Sequence, residues 1–234
     1  MCHDLTALAQ TYVVIPMYNE GQVIADVIRT VLTRFDHVVC VDDGSRDDCA
    51  AVARAAGASV VQHPVNLGQG AAIETGIRYA LQDPSITHVV TFDADGQHDV
   101  DDAAAMVTRG AADDVQVVLG SRFLGAGTSV PLARRALLRA ATSFSRATTG
   151  LELTDAHNGL RVLRRDAAAE LSLKMHGMSH ASEILGKIAA QGWSYVEHPV
   201  TITYSDYSRA KGQRAYNAFN IAFDVAFSRL RHAS

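Results

Sequence analysis

SITHVVTFDADGQH, residues 85–98, is apolar through Ile86, Val89, Val90 and Phe92 and then turns acidic at Asp93 and Asp95. A short apolar run bounded by Pro84 and Gly96 predicts a buried strand. If strand geometry continues to its end, the period of two puts both carboxylates on one side. Two carboxylates at a strand end, followed by a glycine and two polar side chains, suit a hard divalent cation. Mg2+ or Mn2+ is typically held by one or two carboxylates plus the phosphates of a substrate. The competing reading for acids here is helix capping, and it is assigned to Asp99, Asp101 and Asp102, in the first turn of the next predicted helix. Asp93 and Asp95 lie on the strand side of Gly96 and are assigned to metal or phosphate chemistry.

Upstream of this stretch, apolar runs and helical periodicities alternate. Strands are predicted at Thr11–Pro16, His37–Val41 and Ser59–Gln62. Helices are predicted at Gln22–Thr33, Arg46–Ala56 and Gly68–Leu81. Downstream come a helix at Val100–Arg109 and a strand at Val115–Leu119. Such alternation specifies an α/β fold with a mostly parallel, Rossmann-like central sheet flanked by helices. Ligands bind such sheets at the carboxyl ends of the strands. The polar residues cluster there: Tyr18-Asn19-Glu20, Asp42-Asp43, Asp93 with Asp95, and Ser121-Arg122.

The second half changes character. A helix at Leu132–Thr149 carries Arg134, Arg135, Arg139 and Arg146. A strand at Asn158–Leu163, a helix at Ser179–Gln191, and short strands at Ser194–Glu197 and Val200–Tyr204 follow. Ala215–Leu230 is an amphipathic closing helix with Phe219, Phe223 and Phe227 four apart. No repeat, low-complexity tract or clean linker divides the chain, so a single domain with a C-terminal helical elaboration is expected.

The totals exclude some classes. A net charge of −4 over 234 residues offers no basic field for nucleic acid. The three cysteines, Cys2, Cys40 and Cys49, lack metal-type spacing, and free thiols in a reducing, cytoplasmic setting are expected. MCHDLTALAQ is too polar and short for a signal peptide. No run of about 18 apolar residues predicts a spanning helix. Peripheral contact at the cytoplasmic face of a membrane stays open.

Other constellations are weaker. Asp42-Asp43-Gly44-Ser45 follows the second strand, where a carboxylate commonly meets a ribose or base edge. It also suits a turn with an N-cap; with two acids present, both readings can hold. Asn66-Leu67-Gly68-Gln69-Gly70 lacks the third glycine of a dinucleotide fingerprint and the Gly-Lys-Ser/Thr of a P-loop, so it reads as a close backbone approach or a helix start. The basic segment 207–214 is either a solvated charge run or a loop that folds over a diphosphate. His157, His176, His180 and His198 show no HExxH pattern and read as loop or surface histidines.

In order, VVIPMYNE, VDDGS, NLGQGAAIETG, TFDADGQH, GSRF, NGLRVLRR, SEIL and YSRAKGQ resemble the family-2 glycosyltransferases of GT-A fold. Among these the chain looks most like the dolichyl-phosphate mannose synthase type, the polyprenyl-phosphate glycosyltransferases. The resemblance spans about Thr11–Gln213. It implies a single domain over 1–234, with a nucleotide-sugar-binding half at 11–122, an acceptor-side half at 123–214 and a C-terminal helix at 215–234. It implies that Pro16, Tyr18 and Glu20 line the nucleotide pocket and that Val41 and Asp43 meet the base and ribose. Asp93, Ala94, Asp95 and Gln97 match the DxD region, with Asp93, Asp95 and Gln97 around the metal. Arg122 matches an arginine near the donor, and Arg209, with Lys211, the basic loop that reaches the diphosphate. One departure is plain: the loop usually continues Gly-x-Ser-Lys, whereas Gly212 is followed by Gln213, Arg214 and Ala215.

The resemblance further implies inverting, in-line transfer from a UDP- or GDP-sugar donor with Mg2+ or Mn2+. The acceptor decides what else is needed. A hydroxyl on a lipid-linked or polysaccharide glycan needs a general base, for which Asp155 and Glu183 are the candidates. A polyprenyl phosphate is already ionised and needs cations instead, and Arg122, Arg134, Arg135 and Arg139 are the candidates. A non-catalytic nucleotide-sugar-binding module is the alternative from another class, and the intact Asp93, Asp95 and Gln97 set argues against it.

Overall fold

A computed structural model describes residues 2–125, 132–174 and 180–203. The first strand, β1 (Thr11–Met17), is preceded by α1 (Cys2–Ala9) and followed by α2 (Ile24–Val31), β2 (His37–Asp42), α3 (Cys49–Ala55), β3 (Ser59–Gln62), α4 (Gln69–Ala80) and β4 (His88–Thr91). Then come α5 (Val100–Asp113), β5 (Val117–Ser121), α6 (Leu132–Thr149), β6 (Arg161–Arg164), α7 (Arg165–Glu170), α8 (His180–Gln191) and β7 (Tyr195–Pro199). The strands form one sheet in the order β3-β2-β1-β4-β6-β5-β7. Only β6 runs against its neighbours, β4 and β5; every other pairing is parallel.

This topology positions the site. The chain reverses its direction of travel across the sheet between β1 and β4, and a crevice opens where such strand order switches. The carboxyl ends of β1, β2, β4 and β5 meet at that edge. Because β6 is antiparallel, its amino end lies there too, opposite Thr91, with which Arg161 is in register. Residues just before β6 therefore face residues just after β4.

The centre of the sheet is apolar on both faces, as helix-covered parallel strands require. Val13, Val14, Ile15, Val39, Cys40 and Val41 are buried. Helix α2 buries Ile24, Val27, Ile28 and Val31, one face at i, i+3, i+4 and i+7. Helix α4 buries Ala72, Ile73, Gly76, Ile77 and Ala80 and packs across β1 and β2. Close approach is possible because position 76 has no side chain: a Cβ there would sit 2.3 Å from Val14 Cγ1 and 3.2 Å from Val41 Cγ2.

Several sequence expectations shift. The strand through residues 85–98 is only β4, ending at Thr91, so alternation does not place Asp93 and Asp95; a turn does. The capping expectation for Asp99 holds, because its side chain accepts from Asp101 N–H at the start of α5. No strand forms at residues 200–203. There Val200 N–H donates to Ser121 O and Thr201 N–H to the Asp102 carboxylate. Only Ile202 makes an isolated bridge, to His98. Helices α1 and α7 carry no signal that the sequence reading used. Cys40 and Cys49 are free and buried.

Two stability outcomes follow. Gly76→Ala raises helix propensity by about 1 kcal/mol but drives a methyl into Val14, and overpacking costs typically about 1–3 kcal/mol. A net fall in thermal midpoint is expected, against the rise that an open helical glycine would show. His88 is buried, and its Nε2 has no hydrogen-bond partner. Burial, reinforced by the charge of Arg164, pushes its pKa down to about 4 from 6.5. A histidine kept neutral in the fold stabilises above the unfolded pKa, and that stability is lost as pH falls from about 6.5 towards about 4. At pH 5 the loss is on the order of 2 kcal/mol. His88→Gln should shrink the difference between melting temperatures at pH 7.5 and pH 5; an unchanged difference refutes the assignment.

Candidate active site

Phe92 N–H donates to Val14 O at 3.0 Å, continuing the β4–β1 pairing just past the end of the strand. The chain then turns through Ala94 and Asp95, with Gly96 at φ +72°. The Asp93 carboxylate accepts from Gln69 Nε2 at 3.2 Å and pairs with His98 Nε2 at 2.9 Å. Asp95 accepts from Gln97 N–H at 3.1 Å and from Gln97 Nε2 at 2.7 Å. Asp93 rests on Gly159, where an added Cβ would lie 2.2 Å from Oδ2.

The electrostatics separate the two acids. Burial favours the protonated form of Asp93, but the His98 hydrogen bond and the charges of His98, Arg161 and His180 outweigh it and hold its pKa below the usual carboxylate range. Burial and then the negative charge of Asp93 push Asp95 up to about 6. This donor set suits a divalent cation: two neighbouring carboxylates, one of them with its pKa raised by burial and by the other's charge. Among the described residues no group of three or more His, Cys, Asp or Glu side chains is gathered in a metal-holding arrangement. An ion here would complete its shell with water or ligand oxygens. With Gln97 Nε2 turned to Asp95, the amide oxygen is the atom left for such an ion.

The two acids after β2 divide the roles proposed for them. Asp42 serves the turn, accepting from Ser45 N–H at 3.0 Å and Gln62 Nε2 at 3.1 Å. Asp43 accepts from Leu67 N–H at 2.9 Å and Gly68 N–H at 2.7 Å, and pairs with His63 Nδ1 at 2.8 Å. Its oxygens thus fix the loop into α4, and the Asn66–Gly70 stretch is the helix start and close approach that its residues suggested. Gly68 has φ +95°. The Val41 side chain is buried against Gly76 of α4. Pro16 is buried near the end of β1, Tyr18 is 39% exposed beyond it, and Glu20 and Ala94 are buried. Asn19, at φ +55°, ties this loop to the next through Ser45 Oγ and Arg46 N–H.

Arg122 and Asp155 form a buried ion pair. Asp155 Oδ2 accepts from Arg122 Nε and N–H, and Oδ1 from His157 N–H at 3.2 Å. Arg122 Nη2 also donates to His157 O at 2.9 Å. Both Asp155 oxygens are thus engaged inside the fold, and the carboxylate expected as a candidate general base holds Arg122 in place. Glu183 is half-buried in the first turn of α8, and both its oxygens accept from Lys174 N–H, at 2.9 and 3.0 Å. His180 is buried, which corrects its reading as a surface histidine. Arg135 and Arg139 are exposed on α6. The side chain of Arg134, together with Arg209, Lys211 and the 215–234 helix, lies outside the described residues.

Sequence reasoning missed His98, Asn158, Gly159 and Arg161 as parts of this site. The available signal was an arginine inside the apolar run Leu160–Leu163. Arg161 is 2% exposed. Burial lowers its pKa to about 10, against the raising charges of Asp93 and Asp155, so it stays protonated at neutral pH.

Comparison with known proteins gives the family and the fold. The model of "Glycosyl transferase family 2" matches residues 12–172. This chain belongs to glycosyl transferase family 2. The transferase is 27% identical to a UDP-N-acetylglucosamine–dolichyl-phosphate N-acetylglucosaminyltransferase of Methanococcus voltae, over 91% of this chain and 93% of the relative. It is 28% identical to a polyprenol monophosphomannose synthase of Mycolicibacterium smegmatis, over 83% and 77%. Its GT-A fold is shared with glucosyl-3-phosphoglycerate synthase of Mycobacterium tuberculosis, solved with Mg2+ and UDP. That match has a TM-score of 0.68 and 21% identity, covering 88% of this chain and 76% of the other. No helix among the described residues is long and apolar enough to cross a membrane.

Gly159→Ala puts a methyl into the Asp93 carboxylate, and Asp93 must move. A fall in sugar-transfer rate of at least about tenfold is expected, equivalent to roughly 1.4 kcal/mol in the barrier, with the melting temperature little changed. Full activity in this variant counts against a role for Asp93 at the reacting centre.

Proposed function

We propose that this transferase moves a sugar from a UDP- or GDP-sugar to a polyprenyl phosphate by inverting, metal-dependent displacement. The observation that carries the choice of acceptor is the engagement of both candidate bases. Asp155 is locked to Arg122 and Glu183 to the Lys174 backbone. A hydroxyl acceptor needs a base within hydrogen-bond reach. A phosphate monoester is already ionised at pH 7 and needs positioning and charge compensation alone. Two curated relatives, named for dolichyl phosphate and polyprenol monophosphate, support the same reading.

In this reading Pro16, Tyr18 and Glu20 border the nucleotide, and Asp43 shapes its pocket through the loop it holds. Asp93, Asp95 and Gln97 would hold Mg2+ or Mn2+, which when bound supplies charge neutralisation to the diphosphate leaving group. Asp93 and Asp95 are set at the switch-point crevice by the turn at Gly96. Arg122, fixed by Asp155, presents a cation that needs no reorganisation as charge develops. Thr203 N–H donates to Gln97 O at 2.9 Å, so the chain leaves the described residues beside the acidic turn. Arg209 and Lys211, which lie outside the described residues, are the cations that the family resemblance assigns to the diphosphate. Exposed Arg135 and Arg139 on α6 are assigned to the acceptor side, at a membrane surface.

The test is product formation from labelled UDP- and GDP-sugars with Mg2+ or Mn2+, offered either a polyprenyl phosphate or a glycan hydroxyl. A sugar–phosphate–prenyl product is expected, abolished by chelation and restored by added metal. Asp95→Asn should lower turnover by at least about a hundredfold, near 3 kcal/mol of barrier. Transfer to the glycan hydroxyl alone would sink the acceptor assignment, and turnover that survives chelation would sink the metal assignment.

A further inference from the structure

Behind Asp93 lie two polar groups that the reading above does not use. Arg161 opens β6 opposite Thr91, on the same face of the sheet, and Thr91 Oγ1 donates to Gly159 O at 2.7 Å. The Arg161 side chain is buried, yet its Nη1 has no hydrogen-bond partner. It forms no ion pair among the described residues. The two carboxylates whose charges reach it are engaged elsewhere: Asp93 with His98 and Gln69, Asp155 with Arg122. Asn158 is 3% exposed. Its Oδ1 accepts from Leu160 N–H at 2.9 Å, which fixes the amide, and its Nδ2 has no partner.

A buried guanidinium without an acceptor is costly, and so is a buried amide donor. The atoms left over are all donors and one group is cationic. A sugar hydroxyl would satisfy a hydrogen bond but no charge, whereas an anionic oxygen satisfies both. We propose that Arg161 and Asn158 form a phosphate-oxygen subsite in the wall of the crevice behind Asp93. The inference rests on the reading of the protein as a sugar transferase between phosphate-bearing substrates. Two sources share that chemistry: the diphosphate of the nucleotide and the phosphate of the prenyl acceptor.

The experiment is calorimetric titration of the full chain with Mg2+-loaded UDP and GDP, and separately with a short, water-soluble prenyl phosphate. Asn158→Asp keeps the oxygen that Leu160 N–H needs and replaces the orphaned donor with an acceptor. Arg161→Gln removes the charge, and Arg161→Lys keeps it without the planar fork. Asn158→Asp and Arg161→Gln should each weaken one class of ligand at least tenfold, and the class that weakens identifies the source. Arg161→Lys should lose less than Arg161→Gln. If Asn158→Asp melts like the wild type and binds both classes unchanged, these donors serve ordered water and the subsite is refuted, even should Arg161→Gln fail to fold. If the wild type binds neither class, the proposed function falls instead, and titration of the same variants with inorganic phosphate judges the subsite alone.

Discussion

Burial of two neighbouring carboxylates just past a strand end, compounded by their mutual repulsion, is the constraint around which this site is built. Neither Asp93 nor Asp95 has a lysine or arginine within ion-pair distance among the described residues. The fold moderates the repulsion unequally. Asp93 receives His98, Gln69 and the fields of Arg161 and His180, and stays ionised. Asp95 is hydrogen-bonded by Gln97 and feels the charge of His98, but burial and then the charge of Asp93 outweigh these and raise its pKa to about 6. A pair of acids with their pKa values pushed apart is a place prepared for positive charge.

Four further carboxylates are spent on architecture. Asp43 holds the loop into α4, and Asp42 holds the turn before α3. Asp155 holds Arg122, and Glu183 holds the segment at Lys174. Each carboxylate satisfies backbone or side-chain donors that loops at a strand edge would otherwise leave unmade. This explains why a site rich in acids offers so few of them to a substrate. It also makes the crevice stiff, since β1–α2 and β2–α3 are tied together through Asn19, Ser45 and Arg46. Preorganised charge is what a displacement reaction with an ionic leaving group needs most.

Much of this was legible in the chain. Apolar β-branched runs marked β1 to β5 within a few residues, because strands buried on both faces tolerate little else. Helical spacing marked α2, α4, α5, α6 and α8. The acids of the DADGQH turn stood out because hydrophobic runs seldom end in two carboxylates and a glycine. What was not legible was partnership. The Val41 side chain packs in the core, against Gly76 of α4. Asp155 looked like a base and is half of an ion pair. Arg161 looked like an ordinary basic residue in a short strand and proves to be buried.

The sequence by itself determined the α/β class, the succession of most elements and the family, since local periodicity and short motifs are properties of neighbouring residues. Tertiary structure alone decided that β6 inserts antiparallel between β4 and β5. That one choice brings Asn158, Gly159 and Arg161 against Asp93 across more than sixty residues of chain. Hydrogen bonding between strands depends on which edges meet in space, and no local pattern encodes it. The acidic turn was therefore readable as a stretch of chain, while the wall behind it existed only once the sheet had closed.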